Sequence, residues 1–506
     1  MSHNGNIARS LSDKLLAKFN TGTVVSLKNF FLGRWYPIAV AAIVLLGHTL
    51  CIEIFLLPLL ALSFLAAMLV SDSIRPMIIV LCTFLYQVPL DHTPGGPAWS
   101  QYYSGGAVLA VMIASAAVIL LTLVYTVVKF EVFSEISLKK TPLLLSMAVL
   151  GVSFILGGAF SKTWQPADLL WGILQAVLFP LLFLVFYKGL KKENLNDLAN
   201  YLAYVSAIIG ILLFLEIADL YVFGNAVYGT VIDGTGSVIK DRIHLGWATW
   251  NPVGVAIAVN IPMIFYGVMK GRYPVLYFLS AVFTYIACIL TFSRNAMIVS
   301  TLAFVVCILI SCFSGEKRRR LVMRAVTAAG AACVIVGAIV FFDKIYVFAR
   351  DVFERGFSDN GRFNVWLTAF DNFKSAPVFG SGYYHFNSPE LYNYSPAIPL
   401  MAHQTFLQLL SSMGAVGLVA YLYYRFDTAE MFFIRPTLMK TMMGLSVLVL
   451  LLESMLDNFI FTIFPLFYYS ILLAVCALVF EKQKVEAENA DTPSNEGAAV
   501  NTEERA

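Results

Sequence analysis

The sequence predicts an all-α, polytopic membrane protein with about fourteen transmembrane helices and one large extramembrane loop between two late helices. Three observations carry this. Hydrophobic residues make up 59% of the 506-residue chain and charged residues only 13%, whereas a soluble domain carries about 25% charged residues. Apolar runs of spanning length recur from one end of the chain to the other. Lysine and arginine fall mainly in alternate loops, as expected of a bundle threaded back and forth through a bilayer.

Residues 1–34 come first. Arg9, Lys14, Lys18, Lys28 and Arg34 accompany Leu11, Leu15, Leu16 and Phe19 at helical spacing. This reads either as an interfacial amphipathic helix on an anionic cytoplasmic leaflet or as a solvated tail. The first apolar run begins near Trp35, late for a secretory signal, and no small-residue cleavage site follows, so it is read as a retained span. The main transmembrane part covers 35–342 with about eleven helices. Its runs lie near 36–52, 54–70, 75–90, 105–128, 141–160, 168–187, 200–221, 248–269, 273–292, 296–314 and 321–342. Runs near 403–424, 441–458 and 460–479 form a C-terminal part, 403–480. The polar, acidic remainder, 481–506, is expected to be a disordered cytoplasmic tail.

Charge sets the orientation. With the N-terminus cytoplasmic, Arg75, Lys139 and Lys140, Lys188, Lys191 and Lys192, Lys270 and Arg272, and Lys317 to Arg320 share one side, joined by Arg425, Arg435 and Lys440. Two loops on the other side break the pattern: one near 223–246, with Lys240 and Arg242, and the large loop 343–402, with Lys344, Arg350, Arg355, Arg362 and Lys374. Long loops escape the positive-inside bias; an anionic ligand at that face gives these residues a function. Within the large loop, Phe363, Trp366, Phe370 and Phe373 have the spacing of an amphipathic helix.

The exclusions are plain. A net charge of +3 gives no reason to expect a nucleic-acid partner. The seven cysteines lie in or beside apolar runs, without metal-ligand spacing. No P-loop or dinucleotide fingerprint occurs, and the acidic residues do not form a visible cation cage. Neither a metal nor a cofactor is expected.

The candidate chemistry lies on the side opposite the basic loops. His403 is expected in the first turn of its helix, where the positive end of the helix dipole favours a neutral imidazole able to accept a proton from a hydroxyl. A merely interfacial, hydrogen-bonded histidine is the other reading. Arg294 falls in a loop of a few residues between two spans, so close to hydrocarbon that it needs either an anionic partner or a lipid phosphate to reach. Arg242 precedes Asn251-Pro252, a plausible helix start in which Asn251 could cap. Arg355 and Arg362 flank a turn-like Asp359-Asn360-Gly361 and read equally well as a solvated face. Arginine's planar fork suits phosphate oxygens. Trp366, Tyr383, Tyr384 and Tyr392 could stack on sugars or simply pack.

These residues carry a family resemblance. His403-Gln404, nine residues, then Gly414-x-x-Gly417 resembles the signature of the bacterial O-antigen ligase and Wzy-type polymerase superfamily. Arg362, Trp366, Phe373, Pro377, Phe379, Gly380 and Gly382 resemble that family's loop pattern. Ser293-Arg294 and Arg242 with Asn251-Pro252 resemble two further segments. The resemblance covers about 240–420. It implies an all-helical, GT-C-like bundle in the bacterial inner membrane, with a large periplasmic loop and an active site facing the periplasm. It also implies a metal-independent glycosyltransferase using an undecaprenyl-pyrophosphate-linked oligosaccharide, with His403 as base and Arg242, Arg294 and Arg362 on the donor pyrophosphate. The acceptor would be a growing glycan, for repeat-unit polymerisation of O-antigen or exopolysaccharide, or lipid A core, for ligation; protein O-glycosylation is a third possibility. Membrane lipids and other polysaccharide export proteins are the remaining expected partners. A transporter or flippase is the competing class, but such proteins place ionisable groups near the midplane on broken, repeated helices, and most charges here fall at the ends of spans.

Overall fold

The computed structural model of the chain describes residues 17, 21–88, 106–134, 136–162, 164–224, 229–234, 238–343, 346, 350, 362–383, 402–457 and 463–491. Helices dominate. In chain order they are α1 (Thr21–Leu32), α2 (Trp35–Leu50), α3 (Glu53–Val70), α4 (Arg75–Thr83), α5 (Gly106–Lys129), α6 (Leu144–Ala159), α7 (Pro166–Gly189) and α8 (Leu195–Val222). A hairpin of β1 (His244–Leu245) and β2 (Ala248–Thr249) leads into α9 (Trp250–Ala258) and α10 (Ile261–Lys270). Then come α11 (Pro274–Leu290), α12 (Arg294–Phe313), α13 (Lys317–Val340), α14 (Arg362–Ser375), α15 (Thr405–Phe433), α16 (Leu438–Glu453) and α17 (Ile463–Asp491).

Nine described helical segments are long and apolar enough to cross a membrane, or ten if α1 and α2, bent by 70°, make one span. Arg75–Gln87, α6 and α11 are shorter apolar helices; at 1.5 Å per residue such lengths fall short of a hydrocarbon layer about 30 Å thick. The segment Trp250–Lys270 is the innermost, with 94% of its apolar window buried, whereas only 6% of the α13 window is buried. An apolar helix with so little protein around it is built to face lipid.

At the end of the bundle rich in lysine and arginine, several cations close helix C-termini. Lys129 Nζ donates to the carbonyls of Met68, Leu69 and Ser71 at the end of α3. Arg319 donates to the carbonyls of Met269 and Gly271 at the end of α10, and Arg324 to that of Cys312 at the end of α12. Each satisfies orphan carbonyls and opposes the negative end of a helix dipole. Arg425, expected among the loop cations, lies instead within α15. Its guanidinium faces the rings of Tyr421 and Tyr424 and donates to the Tyr469 hydroxyl at 2.7 Å, because α15 runs on to Phe433.

Two other segments differ from expectation. α17 continues to Asp491, into the stretch expected to be disordered, and Glu481 holds its first turns there through Lys191 and Tyr187. In the large loop, α14 forms where the aromatic spacing predicts a helix, but its buried face is Val365, Ala369 and Asn372, with Phe363 and Phe370 exposed. Small residues on that face let α14 lie close against α15, with which it packs.

The feature that places the site is a break in α15. Gly414 has φ 66° and ψ −158°, far from helical values. The break leaves backbone groups of residues 411–416 without helical partners, and the loop segment Pro377–Gly382 supplies replacements. The Ser381 and Gly382 amides donate to the carbonyls of Ser411 and Ser412, at 2.8 and 3.2 Å. The Ala415 and Val416 amides donate to the carbonyls of Pro377 and Val378, at 2.8 and 3.2 Å. A Cβ on Gly414 would lie 2.4 Å from the Val378 oxygen, and one on Gly380 2.3 Å from the Ser412 carbonyl carbon. The loop is then fastened to α7, where Asp168 accepts from the Tyr383 amide at 2.5 Å.

Gly414→Ala therefore meets both a left-handed backbone and a clash, and is expected to lose at least about 2 kcal/mol of stability. Gly330→Ala, in α13 with open space around it, should gain up to about 1 kcal/mol from helix propensity. Thermal unfolding in detergent compares them; similar midpoints for the two variants would contradict the stitched break.

Candidate functional site

The site is built around the start of α15. His403 lies two residues before the helix, not in its first turn, and has φ 51°, in the left-handed region. Gln404 caps the helix, its side-chain oxygen accepting from the Leu407 amide at 2.5 Å. The backbone around His403 is held on both sides. The Trp366 indole of α14 donates to the Ala402 carbonyl at 3.0 Å, and the Ala402 amide donates to Gln408 Oε1 at 2.6 Å. The Thr405 amide donates to the Ser454 carbonyl beyond α16 at 3.1 Å. A non-glycine residue at positive φ persists only where its surroundings over-determine it, and these bonds do so.

The His403 side chain pairs with Asp457. Nδ1 lies 3.0 Å from Asp457 Oδ1; the imidazole is 36% exposed and the carboxylate only 11%. Against an ionised carboxylate, Nδ1 must carry the hydrogen and donate it, which leaves the Nε2 lone pair as the acceptor. One edge of the ring is thus committed to Asp457.

A chain of hydrogen bonds ties this pair to the other sequence candidates. Glu453, one turn before Asp457 at the end of α16, is fully buried. It accepts from Asn295 Nδ2 at its carboxylate, 2.5 Å, and at its main-chain carbonyl, 2.9 Å. Asn295 follows Arg294 in the first turn of α12. On the other side of Arg294, the Ser293 hydroxyl lies 2.9 Å from Asn251 Oδ1, so Asn251 joins α9 to α12 rather than capping α9. At Gly254 an added Cβ would lie 2.6 Å from Ala296 Cβ, which shows how closely the starts of α9 and α12 approach. The N-terminal ends of α9, α12 and α15 therefore gather at the same end of the bundle, each with partial positive charge. Arg294 is half-buried there.

The other candidates lie on the extramembrane segments. Arg242 donates to the Thr230 carbonyl at 2.6 Å, within its own loop. That loop is pinned by the Trp247 amide, which donates to the Leu85 carbonyl at 3.0 Å. Arg362 opens α14. Tyr383 is buried, stacks on Phe154 with centroids 6.0 Å apart and points its hydroxyl at the Met413 sulfur, 2.8 Å away. Burial, with Asp168 adding to it, holds that hydroxyl well above the usual phenol range, so it stays neutral and fastens the loop. Tyr384, Tyr392 and Arg355 lie outside the described residues. Gly382 leaves room for the Asp168 carboxylate, and Gly417 faces Met413 of its own helix. Among the described residues no three His, Cys, Asp or Glu side chains gather as a metal-holding group.

Sequence reasoning singled out neither Asp457 nor Glu453 as a site residue. Their signal was the spacing of two carboxylates four residues apart at the end of an apolar run.

Residues 279–422 match the family model described as O-Antigen ligase. The match runs from α11 to α15 and takes in Arg294, Asn295, Arg362, Trp366, Gly380, Gly382, His403, Gln404, Gly414 and Gly417; Arg242, Asn251, Glu453 and Asp457 lie beyond it. No curated protein matches the chain.

Trp366→Phe keeps the ring but removes the donor to Ala402. Hydrogen exchange over residues 402–408 should rise about five- to tenfold, as for a bond worth about 1 kcal/mol; unchanged exchange would show that the indole does not hold this backbone.

Proposed function

From its place in the O-antigen ligase-like superfamily, supported by residues 279–422, we propose that the chain is an inner-membrane glycosyltransferase. It takes a lipid-pyrophosphate-linked oligosaccharide as donor and a sugar hydroxyl as acceptor, at the membrane face opposite most of the basic loops. The observation that carries this reading is the His403–Asp457 pair, tied through Glu453 and Asn295 to the helix turn bearing Arg294.

The chemistry follows from those groups. The acceptor oxygen attacks the anomeric carbon while its proton passes to His403 Nε2. Asp457 keeps the ring in the tautomer that can take it and stabilises the imidazolium that forms. The bond from the anomeric carbon to the pyrophosphate oxygen breaks, and the electron pair leaves with the lipid pyrophosphate. Negative charge on the leaving group grows in the transition state, so fixed donors stabilise it most at that moment. Arg294 supplies a planar fork and the N-termini of α9 and α12 add dipole. Arg242 and Arg362 are the further donor contacts, reached from the two extramembrane loops, and Phe363, Phe370 and Trp366 of α14 are available for sugar stacking. The activated donor needs neither nucleotide nor ion gradient.

Repeat-unit polymerisation of O-antigen or an exopolysaccharide is the reading we favour, because the length of the chain and its many apolar segments suit a polymerase better than a compact ligase. Ligation to lipid A core is the alternative. Deletion separates them: loss of a polymerase leaves single repeat units on lipid, and loss of a ligase leaves full-length polymer on lipid.

Purified protein in detergent should transfer glycan without a gradient, whereas a transporter would not. His403→Ala should abolish transfer while donor binding and the unfolding midpoint stay near wild type; normal turnover would remove His403 as the base. Asp457→Asn should reduce kcat by roughly 10²–10⁴-fold, the usual contribution of a positioned acid–base group, with KM little changed. Arg294→Lys should be severely impaired because a point charge does not reproduce the fork; full activity with lysine would rule out bidentate phosphate recognition there.

A further inference from the structure

A cleft of about 520 Å³ opens at the far end of α15 from His403, where the loop between α5 and α6 meets the ends of α15 and α17. It belongs to the membrane face that carries most of the lysine and arginine. Its lining has two chemistries. Lys139, Lys140, Arg435 and Lys484 form one part. Leu138, Leu145, Tyr423 and Ile434 form another, and all four are exposed. The apolar part does not stop at the cleft. Along α6 it continues through Val149 and Val152, and along α15 through Val419, Leu422 and Phe426, all of them exposed. These spacings of three, four and seven residues make two parallel stripes on adjoining helices.

The acidic residues in the lining are largely occupied. Asp427 accepts from the Ser146 hydroxyl at 2.5 Å, and Glu481 pairs with Lys191 and with the Tyr187 hydroxyl. Arg435 is pre-positioned, since its guanidinium donates to the Gln483 carbonyl at 2.9 Å while Gln483 Nε2 donates back to the Arg435 carbonyl at 3.0 Å. Glu430 is the third carboxylate of the lining, against four cations.

We propose that this cleft binds an anionic diacyl phospholipid of the leaflet on that side, with its phosphate among Lys139, Lys140, Arg435 and Lys484 and its acyl chains along the two stripes. A soluble anion would use the cations but not the apolar walls; a neutral lipid would use the walls but not the cations. Basic recesses between transmembrane helices at the cytoplasmic surface suit such headgroups. The inference does not depend on the glycosyl-transfer reading, because no residue in it belongs to the proposed reaction site.

The test is native mass spectrometry of the full chain in micelles doped with phosphatidylglycerol or phosphatidylcholine. The wild type should retain phosphatidylglycerol about tenfold better, as expected for several cations near a lipid phosphate. The triple change Lys139→Gln, Lys140→Gln, Lys484→Gln should lose that preference. Ala487→Trp, which fills the cleft without altering charge, should lose it too. Lys270→Gln, Lys317→Gln and Arg318→Gln together, on the same face but away from the cleft, should keep it. Equal retention of the two lipids, or an equal loss in the distant triple variant, overturns the site. Retention of inorganic phosphate alone, abolished by the cleft variants, assigns a soluble anion and overturns the lipid.

Discussion

The structure around the site depends on one exchange of backbone hydrogen bonds, between the interrupted helix α15 and the loop segment Pro377–Gly382. In a bilayer an unpaired amide or carbonyl costs several kcal/mol, so a helix breaks at membrane depth only where other protein groups replace the lost partners. Here a loop does so, and the loop gains a fixed address in return. The direction of α15 above Gly414, the seat of α14 and the position of Trp366 all follow from it. His403 is set by a loop that enters the bundle, as much as by the helix that follows it.

The second constraint is electrostatic. Glu453 and Asp457 place two acidic side chains in the same region, hydrogen-bonded to Asn295 and His403 respectively. Buried carboxylates tolerate such a position only when they are hydrogen-bonded. They also make the positions of Asn295 and His403 interdependent, because Glu453 ends α16 and Asp457 lies four residues on. A shift of α16 would therefore disturb the imidazole and the Arg294 turn together.

Much of this was legible in the sequence, and the failures have physical causes. The family resemblance singled out His403, Gln404, Gly414, Gly380 and Gly382 together, while the apolar helices, the basic loops and the helix in the large loop follow from local spacing. The partners of those residues did not, because they come from far along the chain. Asp457 lies 54 residues beyond His403, and nothing local marks it as that residue's acceptor. Asn251 looked like a cap because asparagine before proline usually is one; only the close approach at Gly254 brings Ser293 within its reach. On α14 the large aromatics suggested the buried stripe, yet close packing favours small residues, and Val365 and Ala369 took that face instead.

The backbone at His403 shows why these separate facts form one arrangement. A histidine inside the first turn would share the helix's φ and ψ, and its ring would lean over the preceding residues. Two residues earlier, in a left-handed conformation, its backbone is freed from that frame and its ring can reach Asp457 on another segment. That conformation costs about 1–2 kcal/mol for a residue bearing a Cβ, and roughly three hydrogen bonds of about 1 kcal/mol each are enough to hold it. The indole of Trp366, the side-chain oxygen of Gln408 and the carbonyl of Ser454 provide that number. They come from the large loop, from α15 itself and from the end of α16, so the imidazole takes its place only when all three are docked.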